Sequence, residues 1–118
     1  MSVTLLTSAS VTPTVTVNAQ SASYTAVLAD GNNTLVTISN ASANTFTIPP
    51  NSSVAYPVGT VLNIAQTGAG QTTITQGSGV TITSVGATAS APKTRVQYSG
   101  ASAIQTSANN WLVLGDIA

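Results

Sequence analysis

Charged side chains are almost absent from this sequence. Of 118 residues, two are Lys or Arg and two are Asp or Glu, and there is no histidine and no cysteine. The four charged residues are Asp30, Lys93, Arg95 and Asp116. Two basic side chains cannot supply the positive field that binds nucleic acid or an anionic membrane, so we expect neither partner. Without cysteine, a disulfide framework and a thiolate metal site are excluded.

The same shortage argues against an enzyme. General acid–base catalysis needs a titratable group near the operating pH, most often histidine or paired carboxylates. Asp30 and Asp116 lie near opposite ends of the chain, and each adjoins a glycine, where aspartate is common in turns. A serine activated by Lys93 is formally possible. Calcium could be bound by oxygens of Asp30, Asn32 and Asn33, but the other carboxylates of a calcium loop and its terminal Glu are missing. We therefore expect no catalytic activity, no metal and no cofactor.

Membrane and secretion signals are also missing. No apolar run approaches the length of about 20 residues that crosses a bilayer. The first four residues lack the basic region and apolar core of a signal peptide. The sequence therefore predicts a protein made in a cytoplasm and not inserted in a membrane.

Threonine, serine and valine are abundant instead, in short runs that alternate polar and apolar residues. Residues 45–85 contain four such runs, separated by Pro49-Pro50, by residues 57–59 (PVG) and by residues 68–70 (GAG) and 77–79 (GSG). No segment shows a helical apolar period, and nine or ten runs follow one another at strand-like spacing. The pattern predicts an all-β fold: a compact antiparallel β-sandwich or barrel-like, jelly-roll-like knob. Hairpins are expected at residues 21–44, with a strand at residues 34–38, and at the GAG tripeptide. A further strand is expected over residues 93–98, and a turn at residues 108–110.

The first 20 residues differ from the rest because they contain no glycine. Val11, Val15 and Val17 alternate with polar residues. Pro13 interrupts this alternation and restricts the segment to a sheet edge or an extended arm. We predict an N-terminal arm over residues 1–20 and a single β-sandwich domain over residues 21–118. An ordinary first strand or a disordered terminus is the alternative. The arm residues expected to bury against a partner are Val3, Leu5, Leu6 and Val11.

Self-association is expected because strand-rich sequence without charged residues leaves sheet edges unguarded. Lys93 and Arg95 form the one basic spot and could bind acidic groups of a partner, or pair with Asp30 or Asp116. A solvated rim without a partner is the equal alternative. The tyrosines and Trp111 could stack on sugar rings if exposed. We favour a place in the core or in a subunit interface for Trp111 and Tyr98.

Several motifs carry a resemblance to a known family. They are residues 47–51 (TIPPN), 57–60 (PVGT), 66–74 (QTGAGQTTI), 79–82 (GVTI) and the ending 111–116 (WLVLGD). Together they resemble a small β-domain of tailed-bacteriophage structural proteins, found in tail-fibre segments and head-associated proteins. The resemblance covers roughly residues 22–117 and leaves the N-terminal segment outside.

The resemblance implies a β-rich virion protein, homotrimeric and without enzymatic activity. A short arm in place of a long tail-attachment region favours a capsid decoration (cement) protein. Such proteins lie on the outer surface of the phage head and bridge neighbouring major capsid proteins. A short tail-fibre or receptor-binding protein is the main alternative, and a bacterial β-adhesin domain is a further one.

Overall fold

The structure, a computed structural model, describes residues 14–85 and 88–118. This part of the chain consists of strands and one 3-10 turn, Leu28–Gly31, which confirms the all-β prediction. The strands are β1 Thr16–Gln20, β2 Tyr24–Thr25, β3 Thr34–Ile38, β4 Asn44–Ile48, β5 Val61–Gln66, β6 Thr72–Gln76, β7 Thr81–Ser84, β8 Gly100–Ser107 and β9 Asn110–Gly115.

The strands form two sheets, with orders β1-β3-β5-β8-β9-β7 and β2-β4-β6. The chain crosses from the first sheet to the second three times, through β1 and β2, then β3 and β4, then β5 and β6. Each crossing, called a coil below, pairs in parallel with the coil before it. The described domain is therefore built on three stacked parallel coils.

The predicted antiparallel arrangement is wrong for most strand pairs. Five pairs are parallel, and two are antiparallel, β5 with β8 and β8 with β9. Because a jelly roll is built from antiparallel strands, that part of the prediction is corrected as well. The turn expected at residues 108–110 does join an antiparallel pair, with Asn109 at a φ of 63°.

The two predicted hairpins are also wrong. In residues 21–44, β2 pairs with β4 and not with β3. The GAG tripeptide at residues 68–70 lies at a corner between β5 and β6, which belong to different sheets. Its glycines are required because successive coils touch there: a side chain on Gly70 would overlap the carbonyl oxygen of Ser42. The Gly70 amide donates to the Asn40 carbonyl at 2.8 Å, which joins the two corners.

After β7, the chain returns along the third coil in the opposite direction. Thr94 bonds to Thr72 of β6 through its backbone amide (2.9 Å), and β8 then pairs with β5. The chain ends with β9 beside β8 and with Ile117 bridged to Thr94. This antiparallel return covers the C-terminal side of the coil stack.

Inward-facing side chains of both sheets form one hydrophobic core. The largest fully buried side chains are Trp111, Phe46, Ile38, Ile48, Leu62, Ile64 and Ile74. Burial of Trp111 was predicted and is confirmed. Its ring meets that of Tyr56 edge-on, with centroids 5.5 Å apart, a favoured aromatic geometry.

A ladder of buried polar side chains lines one corner of the coils. Thr72 donates its hydroxyl to the Asn44 side-chain oxygen, and Thr94 donates to the Gln66 side-chain oxygen at 2.6 Å. The Gln66 amide in turn donates to the Gly68 carbonyl at 2.9 Å. Buried polar groups are tolerated when they are paired, so this ladder fixes the register of the coils.

The segment predicted as an arm over residues 1–20 is only partly described. Thr16–Gln20 form β1 at the sheet edge, which matches the edge position that Pro13 indicated. These five residues therefore belong to the folded domain. Residues 1–13, with Val3, Leu5, Leu6 and Val11, lie outside the described residues.

Candidate binding surface

Asp30 is used inside the fold. It is 2% exposed and caps the 3-10 turn by accepting from the Val27 amide at 2.9 Å. Its carboxylate also accepts from Asn18 (2.9 Å) and from the Tyr24 hydroxyl (2.6 Å). Burial, followed by the hydrogen bond to Asp30, raises the pKa of Tyr24. These contacts explain Asp30, the first residue of the sequence DGNN (residues 30–33), as a cap of the 3-10 turn.

Arg95 and Asp116 form an exposed ion pair. Two guanidinium nitrogens contact the two carboxylate oxygens, at 2.7 and 3.1 Å, and the Ser99 hydroxyl donates to the same carboxylate at 2.7 Å. The hydrogen bond from Arg95, and then the one from Ser99, lower the pKa of Asp116. Of the partners considered for Arg95, Asp116 of the same chain is the one in contact.

Lys93 is exposed beside this pair, but the strand predicted over residues 93–98 is incomplete. Thr94 is fully buried between the exposed Lys93 and Arg95, so the alternation holds there. Residues 96–98 form a bend and a turn instead of a strand. Tyr98 is 76% exposed at a φ of 73°, so the prediction of a core position is wrong, and an interface position is not tested.

Within the described chain, no cluster of three or more histidine, cysteine, aspartate or glutamate side chains could hold a metal ion. No helix of residues 14–85 and 88–118 has the length and apolar character required to cross a membrane.

The outer face of the six-stranded sheet is the most distinctive surface of the described domain. One row of side chains crosses five strands in register, through Val17, Leu35, Asn63, Ser102 and Leu114. Val17 is 62% exposed and Leu114 is 50% exposed. Large apolar side chains exposed together are typical of an interaction surface.

A second row runs parallel to the first across the same face. It contains Val61, Ile104 and Leu112, which are opposite one another on β5, β8 and β9. Val15, just before β1, is 53% exposed on the groove described next. The apolar surface therefore extends over most of the sheet.

The first row encloses a groove of about 530 Å³. Small side chains on the two central strands, β5 and β8, form its floor: Asn63, Ala65, Gly100 and Ser102. Larger apolar side chains on the flanking strands form its walls: Val15, Val17, Leu35 and Leu114. None of the lining residues is charged.

The outer face of the three-stranded sheet is different. Threonines face outward there in register, Thr45 beside Thr73 and Thr47 beside Thr75. Their hydroxyl groups are compatible with water, so this face gives no indication of a partner. Of the two sheet faces in the described residues, only that of the six-stranded sheet carries rows of apolar side chains.

Sequence reasoning identified Val15 and Val17 as alternating residues but did not connect them with Leu35 or Leu114. Alternation shows that residues share one face of a strand, but it does not reveal which strands lie side by side. The groove depends on parallel pairs (β1 with β3, β3 with β5) and on the antiparallel pair of β5 with β8, and the partners in each pair are far apart in sequence.

The chain matches no protein-family model, no curated protein and no solved structure.

Proposed function

We propose that this protein is a bacteriophage virion structural protein, a homotrimeric capsid decoration protein that bridges neighbouring major capsid proteins. The observation that carries the proposal is the uncharged outer face of the six-stranded sheet, with its exposed apolar side chains. Such a face is suited to permanent contact with protein and offers no chemistry for catalysis.

The motif resemblance supports the phage setting. In the structure, two of its motifs lie at the ends and corners of the coils: the Pro49-Pro50 pair follows β4, and the GAG tripeptide packs against the preceding coil. They are therefore fold-defining residues, and attachment is assigned to other parts of the chain. A trimer would present three copies of each attachment surface, so weak contacts would add through multivalency.

The attachment residues in this proposal are Val3, Leu5, Leu6 and Val11, buried against the capsid or a neighbouring subunit. Lys93 is available for an acidic group of the capsid protein. Arg95 already donates two hydrogen bonds to Asp116, so it would bind a second carboxylate only through its remaining N–H groups.

A short tail-fibre or receptor-binding protein is the second candidate, favoured by the exposure of Tyr98. The Tyr98 ring lies on a turn three residues after Arg95 and is exposed to solvent. An exposed aromatic ring with nearby planar polar groups is suited to stacking on a sugar.

Copy number separates the two functions. A decoration protein should be present in hundreds of copies per particle, and heads lacking it should lose resistance to heat. A receptor-binding protein should be present in few copies and should adsorb to cells or glycans. Quantitative gel staining of purified virions is the test, and a few copies per particle would reject the decoration function.

A further inference from the structure

The polar side chains on the floor of the groove, Asn63 and Ser102, are already hydrogen-bonded within the chain. The Ser102 hydroxyl donates to the Asn63 side-chain oxygen at 2.7 Å, and the Asn63 amide approaches the Thr34 carbonyl at 3.4 Å. With these groups paired, the walls offer only apolar contact. The groove therefore selects an uncharged, apolar chain.

The groove also has the width for one extended segment. Its walls stand on β3 and β9, which are three strand spacings apart, or about 14 Å. A strand that packs on a sheet face lies about 10 Å above it, so its side chains can reach a floor of small residues.

We propose that this groove binds residues 1–13 of a second copy of the chain. That segment contains no charged residue and carries Val3, Leu5, Leu6 and Val11. Fully extended, 13 residues reach about 43 Å, enough to leave one subunit and cross the sheet of another. The inference goes beyond the proposed function and does not require a virion.

A second copy is the occupant because the segment's own sheet is difficult to reach. Val15 and Val17, which directly follow the segment, are already part of the groove wall. Re-entry would require a tight reversal close to Val15, and residues 1–13 contain no Gly, Asn or Asp for a turn that needs a positive φ. Pro13 also disfavours the αR conformation at Thr12 that a type I turn with Pro13 as its third residue would need.

Disulfide trapping tests the assignment, because the natural chain has no cysteine. A tagged Leu5→Cys variant is mixed in the unfolded state with an untagged Ala65→Cys variant, refolded together and oxidised. The matched control replaces Ala65→Cys with Thr47→Cys, which is equally half-buried on a strand but lies on the threonine face.

A mixed disulfide dimer is expected with Ala65→Cys and not with Thr47→Cys. Equal trapping by both partners, or by neither, would overturn the proposal. The double variant Leu5→Cys/Ala65→Cys, diluted before oxidation, should stay unlinked within one chain. A disulfide within one monomer would assign the groove to the chain's own segment.

Oligomer stability gives a second measurement that does not depend on trapping. Leu114→Asp places a charge in the groove wall, and Leu114→Met keeps the wall apolar. The aspartate variant should raise the dissociation constant of the oligomer by about tenfold or more, and the methionine variant should leave it nearly unchanged.

Analytical ultracentrifugation measures these constants, and the fluorescence of Trp111 verifies that each variant is folded. A natural chain that is monomeric throughout, or equal constants for the two folded variants, would overturn the inference. None of these experiments uses phage heads, so their failure leaves the copy-number test of the proposed function intact.

Discussion

Gly70 packs against the carbonyl oxygen of Ser42 and leaves no room for a side chain. The φ of Gly70 is not positive, so alanine could adopt the same backbone conformation. Alanine would be excluded only because its side chain overlaps Ser42. We expect Gly70→Ala to lower the free energy of unfolding by about 1–3 kcal/mol or more. The exposed neighbour substitution Ala69→Ser should change it by less than about 0.5 kcal/mol. Urea unfolding followed by Trp111 fluorescence measures both, and equal losses would contradict the corner contact.

Asp116 is the residue whose charge should make stability depend on pH. Its pKa is lowered in the folded chain by Arg95 and then Ser99, so its stabilisation is present above the ordinary aspartate pKa of about 3.9. That stabilisation is lost as the pH falls through the lowered value.

The natural chain should therefore have a higher melting temperature than Asp116→Asn at neutral pH, and the gap should close below about pH 4. Because the pair is exposed, added salt should also narrow the gap. A difference in melting temperature that persists in acid would show that Asp116→Asn disrupts something other than the ion pair.

Single residues also show what sequence can predict. The burial of Trp111 follows from its size in a small β domain, and the structure confirms it. The exposure of Tyr98 could not be predicted, since it depends on the chain turning at residues 96–98 and not continuing as a strand.

At the level of strands, the polar ladder joins β4, β6 and the returning chain. Thr72→Val keeps the shape of the side chain but leaves the buried Asn44 oxygen without the Thr72 hydroxyl. We expect a loss of about 1–3 kcal/mol of unfolding free energy. Thr75→Val is the matched control, because Thr75 lies on the outer face of the same strand and bonds only weakly, at 3.4 Å. Equal stability of the two variants would argue against the ladder.

Strand positions were predictable and strand partners were not. Local alternation located β3 at Thr34–Ile38 as the structure has it. Pairing partners, however, lie 18 residues apart from β1 to β3 (Thr16 and Thr34) and 28 apart from β3 to β5 (Leu35 and Asn63). Because the spacing differs from one coil to the next, the sequence shows no repeat of fixed length. The GAG tripeptide is equally suited to a hairpin and to a tightly packed corner, so only the three-dimensional pairing distinguishes them.

For the whole molecule, the near absence of charge predicts how the proposed decoration protein would attach to a phage head. Two basic and two acidic residues give a net charge of zero, and Arg95 and Asp116 already contact each other. Attachment through apolar contacts should therefore be nearly independent of salt between about 0.1 and 1 M. Sedimentation of decorated heads, with immunoblotting of the released fraction, measures it. Release by salt alone would show that a charged contact such as Lys93 dominates.

Deleting residues 1–12 should abolish attachment to heads while preserving the folded core, since β1 begins at Thr16. Occupancy on heads and the unfolding transition of the free protein are measured together. Unchanged occupancy would remove the N-terminal segment from the attachment mechanism.

The stacked coils keep their register although the connections between their strands differ in length. The connection from β4 to β5, residues 49–60, is longer than the one from β2 to β3, residues 26–33. The longer connection is anchored by Tyr56, whose hydroxyl donates to the Val27 carbonyl at 2.7 Å, while Ser52 and Ser53 at its tip are exposed. Added length at an exposed tip costs little loop-closure entropy. A foreign peptide inserted between Ser52 and Ser53 would thus be displayed without disturbing the coils, which makes the fold a natural presentation scaffold.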